Sequence, residues 1–233
     1  RGTTFQAILD RIADGSLTAQ CLGLVSDRED RGCVEKARNA ELPVGIVEKC
    51  EGESREDYDK RLHEAILQLQ KLQITNYKLQ TNHKSQITSH KQTNNESTNK
   101  RINESPMNST QAIATNTVLA CMGWMFVLTP WFISQWKSKI LNVHPSLLPK
   151  YGGKGMYGMK VHEAVLEANE KESGMTIHLM DEGVDTGKIL LQKSCPVLPD
   201  DTPETLKAKV QELEKEWYPK VLEMIESGEL RLT

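Results

Sequence analysis

Asn142 and His144 lie at the end of an apolar stretch, immediately before Pro145. They supply an amide and an imidazole. The stretch predicts a strand over 139–143, and residues two apart on a strand project from the same side. An Asn amide donates hydrogen bonds to a developing oxyanion, and His transfers protons near neutral pH. The pair therefore suits acyl transfer. Taken alone, a strand-end His that only hydrogen-bonds a loop is the slightly favoured alternative.

A second polar group lies in the acidic, glycine-punctuated segment 178–187, which follows another alternating stretch. Asp185 is placed to orient an imidazole or to stabilise its charge. The alternative is a hairpin-like connection with solvated carboxylates, in which His178 is a packed, satisfied histidine. No ligand spacing on a helix supports a metal site built from His144, His178 and Asp185, so we expect no metal.

The elements that must position these residues alternate between strands and helices. This alternation predicts an α/β fold with three layers, in which helices cover both faces of a twisted, mostly parallel sheet. Ligands of such sheets bind beyond the carboxyl ends of the strands. The predicted strands are 19–26, 44–47, 117–120, 139–143, 174–180 and 188–195, and the predicted helices are 4–13, 32–39, 55–70, 130–138, 160–169 and 203–226.

Residues 71–114 are rich in Asn, Gln, Ser, Thr and Lys and offer no apolar face. Ordering them would have little to offset its entropy cost, so we expect a disordered, low-complexity insertion. A coiled-coil arm is the alternative, but no heptad core supports it. Residues 1–233 are therefore predicted to form one domain interrupted by this insertion.

Composition excludes several classes of protein. The chain has 233 residues, and 29 Lys and Arg against 32 Asp and Glu give a net charge of −3, which is not the basic field of a nucleic-acid binder. Its five cysteines form no CxxC pair, which favours free thiols over disulfides or structural zinc. No apolar run predicts a membrane span and no signal peptide opens the chain, so a cytoplasmic location is expected.

Two segments carry a resemblance to a known family: ILNVHPSLLPKYGGKGMYGMKVHEAV and GMTIHLMDEGVDTGKIL. They resemble the glycinamide ribonucleotide formyltransferases, within the formyltransferase family, and the likeness covers 1–70 and about 118–230. It implies a Rossmann-like fold in which the first strand, expected before Arg1, is missing. It also implies transfer of the formyl group of 10-formyltetrahydrofolate to the amine of glycinamide ribonucleotide in purine biosynthesis.

The resemblance assigns roles to residues at matching positions. The catalytic residues are Asn142, His144 and Asp185. Substrate binding falls to Gly2, Thr3, Thr4, Gln211, Glu212, Leu213 and Glu214, although the family usually has Asn where this chain has Thr4. Binding of the folate falls to Arg55, Met125, Phe126, Val127, Leu128, Asn142, Asp181, Glu182, Gly183, Val184 and Asp185, although the family often has Arg where this chain has Phe126.

The segment Gly2-Thr3-Thr4 also has a reading independent of the family, because backbone N–H groups at a helix N-terminus suit a phosphate. Any helix start looks similar, so this signal is not specific. We expect small-molecule partners, no nucleic acid or membrane, and a monomer or homodimer. Two alternatives stay open: formyl transfer to methionyl-tRNA, which usually needs a further C-terminal domain and a basic surface, and a non-catalytic homologue that acts as a binding or scaffold protein.

Overall fold

The computed structural model describes residues 2–89 and 117–232, with the backbone alone considered over 74–89. Helices and strands alternate along most of the described chain, as predicted. The helices are α1 (Thr3–Ala13), α2 (Gly32–Asn39), α3 (Arg55–Ser89), α4 (Pro130–Gln135), α5 (Met159–Glu167) and α6 (Pro203–Glu226). The strands are β1 (Leu24–Ser26), β2 (Val44–Ile46), β3 (Leu119–Cys121), β4 (Ile140–His144), β5 (Glu172–Leu179) and β6 (Ile189–Pro196).

The strands form two sheets. In the first, β1 pairs with β2 in parallel; the second has the order β3-β4-β5-β6, in which only β3 and β4 are parallel. The prediction of one mostly parallel sheet is therefore wrong for the described residues, where half of the strand pairs are antiparallel. One physical reason is the short loop between β5 and β6, because a parallel pair needs a crossover of about a dozen residues or more.

Helices cover both faces of the second sheet, as predicted. One apolar cluster joins Leu141 and Val143 of β4 to α1 and α6, with Ile8 and Val221 among its buried members. The other joins Ile140 of β4 to α3 and α4. Because successive residues of a strand face opposite sides, the two clusters lie on opposite faces of β4.

Helix α3 continues to Ser89, whereas the sequence predicted that it ends at Gln70. The helix therefore runs into residues 71–89 of the predicted insertion, and the division of the chain into one domain and an insertion stays a prediction. Residues 55–89 contain neither Gly nor Pro, and once a helix is nucleated each added residue contributes one hydrogen bond. The buried side chains of Tyr58 and Leu62 hold the first turns of α3 against the core. The polar residues that follow therefore extend an existing helix and do not have to nucleate one. Residues 90–114, the rest of the predicted insertion, lie outside the described residues.

Helix α6 begins as the sequence predicted. Thr202 is the N-cap, and Pro203 follows it as the first helical residue. Thr202 and Thr205 exchange two hydrogen bonds, each from a backbone N–H to the other's side chain, which form a capping box. The first strand is shorter than predicted, because residues 19–23 make no ladder and lie along a cavity described below. No helix in the described ranges is both long and apolar enough to cross a membrane.

Candidate active site

Asn142 and His178 face each other across two antiparallel strands. They are register partners on β4 and β5, and Nδ2 of Asn142 lies 3.3 Å from Nε2 of His178. The other ring nitrogen of His178, Nδ1, lies 2.9 Å from the carbonyl oxygen of Leu179. A carbonyl only accepts, so Nδ1 carries the proton and Nε2 accepts from the Asn142 amide. Burial lowers the pKa of His178, which favours this neutral ring.

His144, at the end of β4, is held between a carbonyl and a carboxylate. Its Nε2 donates to the carbonyl oxygen of Tyr151 at 2.7 Å, and its Nδ1 lies 3.4 Å from Oδ2 of Asp185. The ring is 4% exposed, so water competes little for either contact. A proton on Nδ1 would complete an imidazolium–carboxylate pair, which is the state able to donate from both nitrogens.

Asp185 connects the two histidines. Its Oδ1 lies 3.7 Å from Nε2 of His178, while its Oδ2 also accepts from the backbone N–H of Gly153 at 3.0 Å. The backbone of Asp185 has a positive φ of 59°, which is uncommon outside glycine, although Asp tolerates it better than most residues. The predicted trio of Asn142, His144 and Asp185 is thus brought together, and His178 lies between Asn142 and Asp185.

The loop after His144 is fixed by a hydroxyl on the neighbouring strand. Thr176 is the register partner of His144, and its Oγ1 donates to the carbonyl oxygen of Ser146 and accepts from the N–H of Leu148. The side chain of Gln192, on β6, donates to the same hydroxyl at 2.9 Å. These contacts are fully or largely buried and set the path of the chain that brings Tyr151 back to His144.

The predicted folate loop packs on the start of α3. Phe126 lies under the guanidinium of Arg55, with 5.5 Å from Cζ to the ring centroid, and contacts Tyr58 and Trp124. Thus Arg55 and Phe126 are neighbours, and the aromatic ring packs against the guanidinium.

The remaining loop residues divide between the surface and the core. Leu128 is buried, whereas Met125 and Val127 are about half exposed and are available to an apolar ligand. In the Asp181–Asp185 segment, Asp181, Glu182 and Gly183 are exposed. Asp181 is tied within its own loop, since its Oδ1 accepts from Gly183 and from the hydroxyl of Thr186.

Most of the predicted substrate residues line a large cavity of about 1410 Å³ between β1 and β3. Its wall includes Gly2, Thr3, Thr4, Gln211 and Glu214 but none of the three predicted catalytic residues. The three predicted catalytic residues therefore do not belong to the wall of this cavity. The structure also turns two predicted residues of α6 away: Glu212 is exposed and pairs with Lys215, and Leu213 packs against the core.

Two helix starts meet at one end of this cavity. Gly2 caps α1 with a φ of 64°, and a Cβ on it would lie 2.8 Å from both N and Cα of Cys33, in the first turn of α2. Only glycine allows this approach without strain. Thr4 in the first turn of α1 donates from Oγ1 to Oε2 of Glu214 at 3.4 Å. Burial raises the pKa of Glu214 to about 7, while the Thr4 hydrogen bond and Lys207 act in the opposite direction.

Sequence reasoning missed the link through His178, which it treated as a structural histidine. His178 is buried and both of its ring nitrogens have hydrogen-bond partners, as that alternative expected. One of those partners, however, is the predicted catalytic residue Asn142. The carbonyl of Tyr151 was also missed, because no side-chain pattern reports a backbone partner. Among the described residues, no group of three or more His, Cys, Asp and Glu is arranged to hold a metal ion.

The chain is similar to formyl transferases in both sequence and structure. The sequence model described as "Formyl transferase" matches residues 70–222. A phosphoribosylglycinamide formyltransferase from Haemophilus influenzae is 28% identical over 232 residues, which cover 100% of this chain and 86% of that relative. A solved phosphoribosylglycinamide formyltransferase from Coxiella burnetii is 27% identical with a TM-score of 0.70, covering 98% of this chain and 83% of that one.

Much longer proteins also match. The trifunctional purine biosynthetic protein adenosine-3 of Chironomus tentans is 36% identical over 99% of this chain. The chain spans only 13% of the length of that relative.

Proposed function

We propose that this chain, which belongs to the formyl transferase family, transfers the formyl group of 10-formyltetrahydrofolate to the amine of glycinamide ribonucleotide, a step of purine biosynthesis. The observation that carries the proposal is the cluster of Asn142, His178, Asp185 and His144 at the carboxyl end of β4, in which Asn142 donates to His178 and Asp185 lies within 4 Å of both imidazole rings. Full-length similarity to proteins named phosphoribosylglycinamide formyltransferase supports the choice of acceptor.

The reaction forms one C–N bond and breaks another. The primary amine attacks the formyl carbon, the formyl oxygen becomes an oxyanion, and collapse of this intermediate breaks the bond to N10 of the folate. One proton leaves the amine and one reaches N10, so the proton count balances. Asn142 and His144 supply N–H donors for the oxyanion, which is the kind of stabilisation that contributes most to acyl transfer.

The hydrogen bonds of the site explain how these donors are held ready. The Asn142 amide is fixed by His178, and the His144 ring by Asp185 and Tyr151. Because Nε2 of His144 donates to the Tyr151 carbonyl, the formyl oxygen has to displace that carbonyl to accept from the ring. The Asn142 amide has two N–H groups, so it can donate to the oxyanion and keep its bond to His178.

The acceptor's phosphate fits the end of the cavity where α1 and α2 begin. Unpaired N–H groups and the positive ends of both helix dipoles favour an anion there. Thr3, Thr4, Gln211 and Glu214 line the same end and offer hydrogen bonds to a ribose.

For the folate, we propose a surface between the start of α3 and the Asp181–Asp185 segment. Arg55 offers a cation to a carboxylate of the folate, while Met125 and Val127 offer apolar contact to its ring system. Phe126 and Leu128 do not need to contact the folate: they pack against α3 and so hold the loop that carries Met125 and Val127.

The acceptor is tested by incubating the protein with 10-formyltetrahydrofolate and either glycinamide ribonucleotide or methionyl-tRNA, and measuring formylated product by mass spectrometry. We expect product from the ribonucleotide alone. Product from methionyl-tRNA alone would reassign the acceptor, and no product from a folded protein that still binds the folate would favour a binding role. Glu216→Gln, which removes an exposed ion pair with Lys220, is the control variant and should retain full activity.

A further inference from the structure

Two residues on one side of α3 hold the two ends of α4. Asp59 and His63 are four positions apart, a spacing that places their side chains on the same side of a helix. Oδ2 of Asp59 accepts from the backbone N–H of Thr129, the N-cap of α4, at 2.6 Å. Nδ1 of His63 accepts from the indole Nε1–H of Trp136, the C-cap of α4, at 3.0 Å. One turn of α3 thus fixes α4 at both ends.

The carboxyl group of Asp59 is fully buried, with an exposed fraction of 0%. Its second oxygen, Oδ1, has no hydrogen-bond partner among the described residues. Burying a carboxyl group costs free energy that a single hydrogen bond offsets only in part. Asp59 is therefore costly for the core, and we assign its role to the position that it gives to Thr129.

His63 accepts its hydrogen bond as a neutral ring. An indole N–H donates and does not accept, so Nδ1 of His63 carries no proton. Burial lowers the pKa of His63, while Glu64 acts in the opposite direction, and the neutral ring is therefore favoured near neutral pH. Trp131 and Phe132 of α4 meet the imidazole edge-on, with 5.4 and 6.3 Å between ring centroids. His63 is thus packed against α4 as well as bonded to its end.

The predicted folate loop ends at the residue before Thr129. Its side chains alternate: Phe126 and Leu128 pack toward α3, whereas Met125 and Val127 are 50% and 47% exposed. A shift of Thr129 along α3 would move Leu128 with it, and the two exposed side chains would lose their present direction. The anchoring of α4 therefore also determines where Met125 and Val127 point.

We propose that Asp59 and His63 are positioning residues for the folate, which act by fixing α4 and thereby the outward direction of Met125 and Val127. This inference rests on the proposed function for the identity of the ligand. Neither residue is among those matched to folate binding, so both act through the loop. A ligand that binds only the held loop loses affinity in proportion to the fraction of molecules in which the loop is held, so a loop held about a tenth of the time weakens binding about tenfold.

The first measurement is the Kd for 10-formyltetrahydrofolate by isothermal titration calorimetry, without the acceptor, in variants whose folding is checked by thermal unfolding. We expect about tenfold weaker binding in Asp59→Ala and in His63→Leu. Asp59→Asn and His63→Gln keep an oxygen that can accept from the same N–H groups, and both should restore most of the affinity. Glu64→Gln is the matched control, because Glu64 is exposed on the same helix.

Unchanged affinity in a folded Asp59→Ala or His63→Leu protein would overturn the inference. Equal losses in Asp59→Asn and Asp59→Ala would also overturn it, because the accepted hydrogen bond would then not be what matters. A wild type that does not bind the folate would overturn the inference and the proposed function together.

The second measurement separates this role from a general loss of structure by comparing KM for each substrate with kcat. In Asp59→Ala and His63→Leu we expect KM for the folate to rise about tenfold, while KM for glycinamide ribonucleotide and kcat stay within about twofold. The reason is that β4 keeps its own pairing with β3 and β5. Equal rises in both KM values, or a fall in kcat alone, would contradict the inference.

The two measurements also distinguish this inference from the proposed function. A wild type that binds the folate but makes no product would refute the proposed transfer. Weaker folate binding in Asp59→Ala and His63→Leu would still support the role of α4 in that case.

Discussion

The amide of Asn142 donates to Nε2 of His178 across the β4–β5 pair at 3.3 Å, and the opposite nitrogen of His178 is fixed by the carbonyl of Leu179. A buried neutral imidazole therefore determines which way the amide points. Since Asn142 is the proposed oxyanion donor, we expect His178 to act on catalysis through Asn142, as a positioning residue.

His178→Ala should lower kcat for formyl transfer by about tenfold to a hundredfold, with a smaller change in KM. The reason is that loss of a whole oxyanion donor costs about 10²–10³ in rate, and a misaligned donor loses part of this. Steady-state kinetics of Asn142→Ala, His178→Ala and the double variant provide the check. The two losses should overlap in the double variant; if they multiply, the residues act independently and the assignment fails.

Gly174→Ala should destabilise the protein by about 3 kcal/mol, within the range of severe packing errors. A Cβ at this position of β5 would overlap the carbonyl oxygen of Lys193 and approach Cδ2 of Leu147 at 2.8 Å. The matched control is Gly45→Ala on β2, whose Cβ would meet nothing closer than 3.8 Å. Urea unfolding compares the two variants. Equal stabilities would show that β5 and β6 are not as close as described.

His162→Gln should change how stability depends on pH. Burial lowers the pKa of His162 to about 4, below its usual 6.5, so between these values the unfolded chain binds a proton that the folded chain does not. The free energy of unfolding therefore decreases as pH falls from 6.5 to 4, by about 3 kcal/mol in total, since each unit of pKa shift corresponds to about 1.36 kcal/mol. His162→Gln should not show this decrease, because Gln does not titrate.

The test is urea unfolding of wild type and His162→Gln at pH 6.5 and pH 4. Glu214 has the opposite tendency, because its raised pKa makes stability fall as pH rises, but it is present in both proteins. The difference between the two proteins therefore isolates His162. Parallel stability curves would mean that this histidine titrates normally in the folded chain.

Local patterns were sufficient for much of the fold. The cap at Thr202, the helix that follows it, and the placement of Asn142 and His144 on one side of β4 are local features, and the structure confirms them. The family resemblance is likewise confirmed by the match over residues 70–222. The individual residue roles stay predictions.

Other features depend on contacts between distant residues. Asn142 and His178 are 36 positions apart, and their pairing follows from the strand register, which composition does not reveal. The continuation of α3 past Gln70 was missed because polarity was taken as evidence against helix, although residues without Gly or Pro extend a helix that buried neighbours have already nucleated.

The most direct test of the central claim is the rate of formyl transfer to glycinamide ribonucleotide by wild type and Asp185→Asn, measured as formylated product under saturating conditions. The substitution preserves shape but removes the charge that holds His144 and accepts from Gly153. We predict readily measured transfer by the wild type and a loss of about a hundredfold or more in kcat for a variant with unchanged thermal unfolding. A folded Asp185→Asn protein with near-wild-type turnover would contradict the account.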